Sequence, residues 1–70
     1  MPKFITIEVR WNSERDRYDV VRKGAPTHFH KLKVAAVALA RMIARDLVEA
    51  GHNAEIVVVQ PDGTRTKEKI

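Results

Sequence analysis

The sequence predicts a small single α+β domain over residues 1–70, with an antiparallel sheet of three to five strands and one helix packed on one face, in the order β-β-(β)-α-β-(β). Three observations predict it. Two segments near the N-terminus alternate with period two and are joined by a short polar link, the pattern of an antiparallel hairpin. One long run rich in Ala, Leu, Met and Arg follows, and these are good helix formers. A β-branched run then ends at a Pro-Asp-Gly turn.

The elements follow in order. Phe4 to Trp11 places Ile5, Ile7, Val9 and Trp11 on one face and Thr6, Glu8 and Arg10 on the other, a half-buried strand. Asn12 to Asp16 is a polar turn. Arg17 to Arg22 is the second strand, with Tyr18 and Val20 on one face and Asp19 and Val21 on the other. Lys23-Gly24-Ala25-Pro26 is a turn, because Gly tolerates positive φ and Pro fixes its own. Thr27 to His30 is a short third strand. Leu32 to Ala50 is a helix, poorly capped at its start and ended by Gly51 at C′. Leu32, Ala36, Leu39, Ile43, Leu47 and Ala50 recur at helical spacing as its core stripe. Ala54 to Gln60 is the strongest strand signal, with Ile56 to Val59 apolar on both faces. After the turn at Pro61 to Thr64, residues 65–70 either return as an edge strand or fray.

Composition excludes whole classes of function. The chain has no cysteine, so it has no disulfide framework, thiol nucleophile or Cys-ligated metal. Seventy residues bury only about 60% of the surface the unfolded chain exposes, enough for one core and one binding surface. Ser13 is the lone serine and no histidine accompanies it; Gly24, Gly51 and Gly63 stand apart and form no phosphate loop. The expectation is a protein that is not an enzyme, needs no cofactor and takes no small-molecule substrate. Met1-Pro2-Lys3 leads straight into a strand without a signal-peptide pattern, and the apolar stretch Val34 to Ala44 is interrupted by Arg41 and too short for a bilayer. No membrane and a cytoplasmic location are expected.

Charge is segregated. The chain carries thirteen basic and nine acidic residues, a formal +4. Between Val20 and Arg45 no acid occurs, while Arg22, Lys23, Lys31, Lys33, Arg41 and Arg45 all fall there with His28 and His30. The end of the second strand, the next turn and the helix start are expected to lie together and form a positive patch for an anionic partner, nucleic acid or an acidic protein surface. Arg17, Arg22, Lys23, Lys31 and Lys33 are the candidate phosphate contacts. The same charges on a purely solvated face would only aid solubility.

The helix has a second feature. Val34, Val37, Ala44 and Val48 lie roughly opposite its core stripe, with Arg41 among them. Valine is a weak helix former that solvent does not select, so Val34, Val37, Arg41, Ala44 and Val48 are a candidate homodimer interface. His28-x-His30 puts two imidazoles on one strand face, but two ligands without a third do not make a metal site, and none is expected.

Two resemblances rest on these residues. Tyr18-x-Val20, Gly24, Phe29, the Lys-bearing helix entry, Ala36-x-x-x-Ala40-Arg41-x-x-Ala44 and the final strand with Asp62-Gly63 resemble a family of small bacterial and phage domains of unknown function, with Lys31 where that family has Thr. That resemblance implies a fold and no activity. Arg17 to about Ala44, a basic hairpin followed by a Gly turn, a Phe and a Lys-rich helix entry, is similar to the N-terminal arm-binding domains of phage-type integrases. It implies a three-stranded sheet laid into the DNA major groove. Two functions stay open: a small basic module that binds nucleic acid through its phosphates, and a homodimeric protein–protein interaction or inhibitor protein of phage or plasmid type.

Overall fold

The computed structural model describes residues 3–70 and shows an α+β fold; Met1 and Pro2, part of the segment read above for a signal peptide, lie outside the described residues. The elements are β1 (Phe4–Asn12), β2 (Arg17–Arg22), β3 (Ala25–His30), α1 (Lys33–Glu49), β4 (Asn53–Val59) and β5 (Arg65–Glu68). They form one five-stranded sheet in the order β3-β2-β1-β4-β5, with α1 on one face.

β1 pairs antiparallel with β2, with Val9 opposite Val20 and Trp11 opposite Tyr18. The connecting turn is held by Asn12, whose Oδ1 accepts the N–H groups of Glu14 and Arg15 at 3.1 and 3.2 Å. The β2–β3 turn is tighter than expected. Lys23 (φ 54°) and Gly24 (φ 78°) form a two-residue loop with both φ values positive, the mirror-image turn whose twist suits a hairpin. Ala25 and Pro26, read as turn residues from sequence, already belong to β3. Pro26 is tolerated because β3 is an edge strand. Residues 65–68 do return, as β5 antiparallel to β4.

The expectation of an antiparallel sheet needs one correction. β1 and β4, the sequence-distant pair, run parallel, with Ile7 opposite Ile56 and Val9 opposite Val58. Parallel neighbours require a crossover connection. Here α1 supplies it, carrying the chain from the β3 edge back across the sheet to the far side of β1.

The core lies between α1 and the helix-side face of the three middle strands. Ile5, Ile7, Val9, Val20, Ile56 and Val58 meet Ala36, Val37, Ala40, Ala44 and Leu47 of the helix. Each fully buried Val or Ile contributes about 1.5–3 kcal/mol of transfer free energy. This overturns part of the predicted stripe. Leu32 and Ala50 are exposed, and Leu39 and Ile43 are only half-buried along one flank. Val37 and Ala44, assigned above to the outer face, are buried against the sheet. The true contact line falls between the two predicted stripes. Alanines at 36, 40 and 44 let the helix sit close to the pleated surface, which longer side chains would prevent.

Gly51 ends the helix as predicted, with φ 90°. Its N–H donates to the Val48 carbonyl and the His52 N–H to the Leu47 carbonyl, both at 3.0 Å, the paired bonds of a Schellman cap. No helix among the described residues is long and apolar enough to cross a membrane.

Candidate functional site

The candidate phosphate contacts do not form one patch. β3 is six residues long, and at about 3.3 Å per residue it puts roughly 20 Å between Lys23 at one end and Lys31 at the other. The sequence reading folded this segment as a turn plus a stub, which brought the two ends together. The extended strand separates them.

Three of the arginines are engaged locally, and a fourth, Arg22, is not. Arg17 Nε donates to Asp19 Oδ1 at 2.8 Å, and its guanidinium carbon sits 3.9 Å from the centre of the Phe29 ring. Arg22 lies on the helix-side face opposite Ile7, and its Nε is buried without a hydrogen-bond partner among the described residues. Arg41 pairs with Glu68 at 3.8 Å and donates to the Lys69 carbonyl at 2.9 Å. Arg65 pairs with Glu8 at 2.9 Å, reaching from β5 across β4 to β1. Lys23, Lys31, Lys33 and Arg45 make no ion pair among the described residues.

Lys31 and Lys33 stand where β3 passes into α1. Leu32 is the N-cap and offers no side-chain cap, and the first helical turn holds no acid. Its carbonyl accepts the first helical bond, from Ala36. The N–H groups of Lys33, Val34 and Ala35 therefore precede the helical ladder, at the positive end of the helix dipole. His28 and His30 project from the helix-side face of β3 beside this end, as their register with Val20 and Tyr18 requires. His30 Nδ1 accepts the Leu32 N–H at 3.1 Å, which fixes the strand-to-helix corner. Asp19 lies on the opposite face of the sheet, and no group of three metal-ligating side chains occurs among the described residues.

The face of the sheet away from the helix was not singled out from sequence. Its residues alternate with the core positions: Phe4, Thr6, Glu8 and Arg10 on β1; Arg17, Asp19 and Val21 on β2; Phe29 on β3; Glu55, Val57 and Val59 on β4; Arg65 and Lys67 on β5. The apolar second face of β4 has a local explanation. Val57 is buried between Glu8 and Lys67 in register, under the Arg65–Glu8 pair that spans β4. Asp19 is the one buried charged residue among the described residues, held by Arg17 and by Asn12 Nδ2 at 2.9 Å.

The proposed dimer stripe is also divided. Val34 is 82% exposed and Val48 is half exposed, whereas Val37 and Ala44 face the sheet and cannot meet a partner. No protein-family model, curated protein or solved structure matches the chain.

Proposed function

We propose that this protein is a non-enzymatic module that binds nucleic acid by its phosphates, at the end of the molecule where β3 passes into α1. The observation that carries the reading is the pair Lys31 and Lys33, exposed and unpaired among the described residues, beside an uncapped helix start within a segment that holds no acid from Val20 to Arg45. Backbone N–H groups at a helix start and mobile ammonium groups are the donors that phosphates take, and they carry no base information. Arg17 stands at the same end of β2 and adds to the field. Lys23 and Arg22, at the other end of the hairpin, are secondary contacts in this reading. Anisotropy titration of a labelled duplex and a labelled single strand at roughly 50 mM salt tests it. The double substitution Lys31→Glu/Lys33→Glu should abolish binding to both, and Lys23→Glu should weaken it less.

A second reading rests on Val34 and Val48, exposed along one flank of α1 beside Arg41. Such a flank fits a homodimer or a protein partner. Light scattering at high concentration separates the two: a dimer dispersed by Val48→Glu, with no nucleic-acid binding, favours the second.

A further inference from the structure

We propose that the open face of the sheet is a platform for single-stranded nucleic acid, where an unpaired base stacks on Phe29 and a neighbouring phosphate meets Arg10. The inference rests on the nucleic-acid reading above and names the form of nucleic acid that the fold selects.

Phe29 is 59% exposed on an edge strand, yet its ring is not loose. The Arg17 guanidinium lies over one of its faces at 3.9 Å from its centre, so a base would stack on the other, and Asp19 pins that guanidinium at 2.8 Å. Asp19 is itself 7% exposed and takes a second bond from Asn12. A buried carboxylate thus holds an arginine that orients an aromatic ring standing in solvent. Sheet stability does not need the ring there, since an edge strand with six exposed residues has no core to fill.

The pairing register sets the rest. Phe29, Asp19, Arg10, Val59 and Arg65 stand in one row across the strands. With strands about 4.8 Å apart, Arg10 is roughly 10 Å from Phe29 and the row spans about 19 Å. Arg10 is exposed and makes no ion pair among the described residues, unlike Arg17, Arg65 and Lys67 around it. A hollow of about 310 Å³, whose lining includes Arg10, Asn12, Glu14, Asp19, Val21 and Pro26, opens beside this row. Of the acids near this row, Glu8, Asp19 and Glu55 each have a cation partner within 3.4 Å, and Glu14, in the β1–β2 turn at the rim of the hollow, has none among the described residues.

A duplex cannot use this arrangement. Its bases are stacked on one another, and none offers a free face to a ring standing on the sheet. An unpaired base offers a free π-face, and an aromatic ring with cations alongside is how sequence-tolerant single-strand sites are built.

The test measures anisotropy of a labelled twelve-nucleotide single strand, as DNA and as RNA, and of the matching duplex. Phe29→Leu, Arg10→Gln and Lys31→Glu/Lys33→Glu are compared with the unsubstituted protein, and circular dichroism confirms that each is folded. Phe29→Leu should weaken single-strand binding by roughly fivefold or more and leave duplex binding unchanged. Arg10→Gln should weaken single-strand binding and flatten its salt dependence. Single-strand binding that survives Phe29→Leu but is abolished by Lys31→Glu/Lys33→Glu overturns the platform and leaves the phosphate reading standing. Equal loss on duplex and single strand also overturns it. No binding of any nucleic acid by the unsubstituted protein overturns both.

Discussion

Two valines three residues apart on α1 give a direct measure of how the helix sits. Val37 is 7% exposed against the sheet and Val34 is 82% exposed. Truncating either to Ala removes the same two methyl-sized groups. At Val37 the loss of buried surface costs about 1.6 kcal/mol before any cavity is counted. At both positions Ala returns about 0.5 kcal/mol of helix propensity. The propensity gain is common, so it cancels in the comparison. Val37→Ala should be destabilised by about 1–2 kcal/mol, and Val34→Ala should be neutral or slightly stabilised. The gap of about 2 kcal/mol is large for a domain whose total stability is about 3.5–10 kcal/mol. Urea unfolding followed by fluorescence reads it, because Trp11 is the sole tryptophan and packs edge-on to Tyr18 at 4.9 Å between ring centres. The midpoint should move for Val37→Ala with an unchanged slope. Equal destabilisation of the two variants, or a greater loss at Val34, would mean that the helix buries the stripe of Val34, Val37 and Val48, and no loss at either would mean that it packs through Leu32, Leu39 and Ile43.

Asp19→Ala should cost about 1–3 kcal/mol, because it leaves the half-buried Arg17 without its carboxylate, and the Phe29 ring resonances should shift with it in NMR spectra. Gly51→Ala should cost about 1–2 kcal/mol from backbone strain alone, since φ is 90° and an added Cβ would meet nothing within 4 Å. The Thr64 N–H and hydroxyl hold the Asp62 carboxyl below the usual aspartate range. A depressed pKa stabilises the fold above the unfolded value, and that contribution disappears as pH falls through the folded one. Carbon-detected NMR should therefore show Asp62 titrating below the usual aspartate range, and Thr64→Pro, which removes both donors, should raise it toward that range.

Much of the fold is legible in the sequence. β1, β2 and β4 declare themselves because their β-branched residues alternate or run together, and Gly51 marks the helix end because αL geometry favours it. The rotation of α1 is not legible. Hydropathy ranks Leu32, Leu39 and Ile43 above the alanines, but contact with a sheet selects small residues where the backbones approach. β3 gives little signal, because an edge strand exposed on both faces has no reason to alternate. The shortened strand also misplaced the site: with Ala25 and Pro26 as turn, Lys23 and Lys31 come closer than the roughly 20 Å that the full β3 sets between them. The parallel pairing of β1 with β4 depends on where the helix returns the chain, which no local pattern records. The Phe29–Arg17–Asp19 arrangement joins neighbouring strands, so its parts lie ten residues or more apart for Phe29 and show no motif.

The salt dependence of nucleic-acid binding decides whether Lys31 and Lys33 meet phosphates. Lys31 and Lys33 as phosphate contacts predict that log K falls against log salt with a slope of about −1.8 on a duplex, and more steeply where Arg17 or Lys23 also engage. Lys31→Glu/Lys33→Glu should remove that dependence together with the binding. A protein that binds neither duplex nor single strand at roughly 50 mM salt, or binds with no salt dependence, would contradict the account.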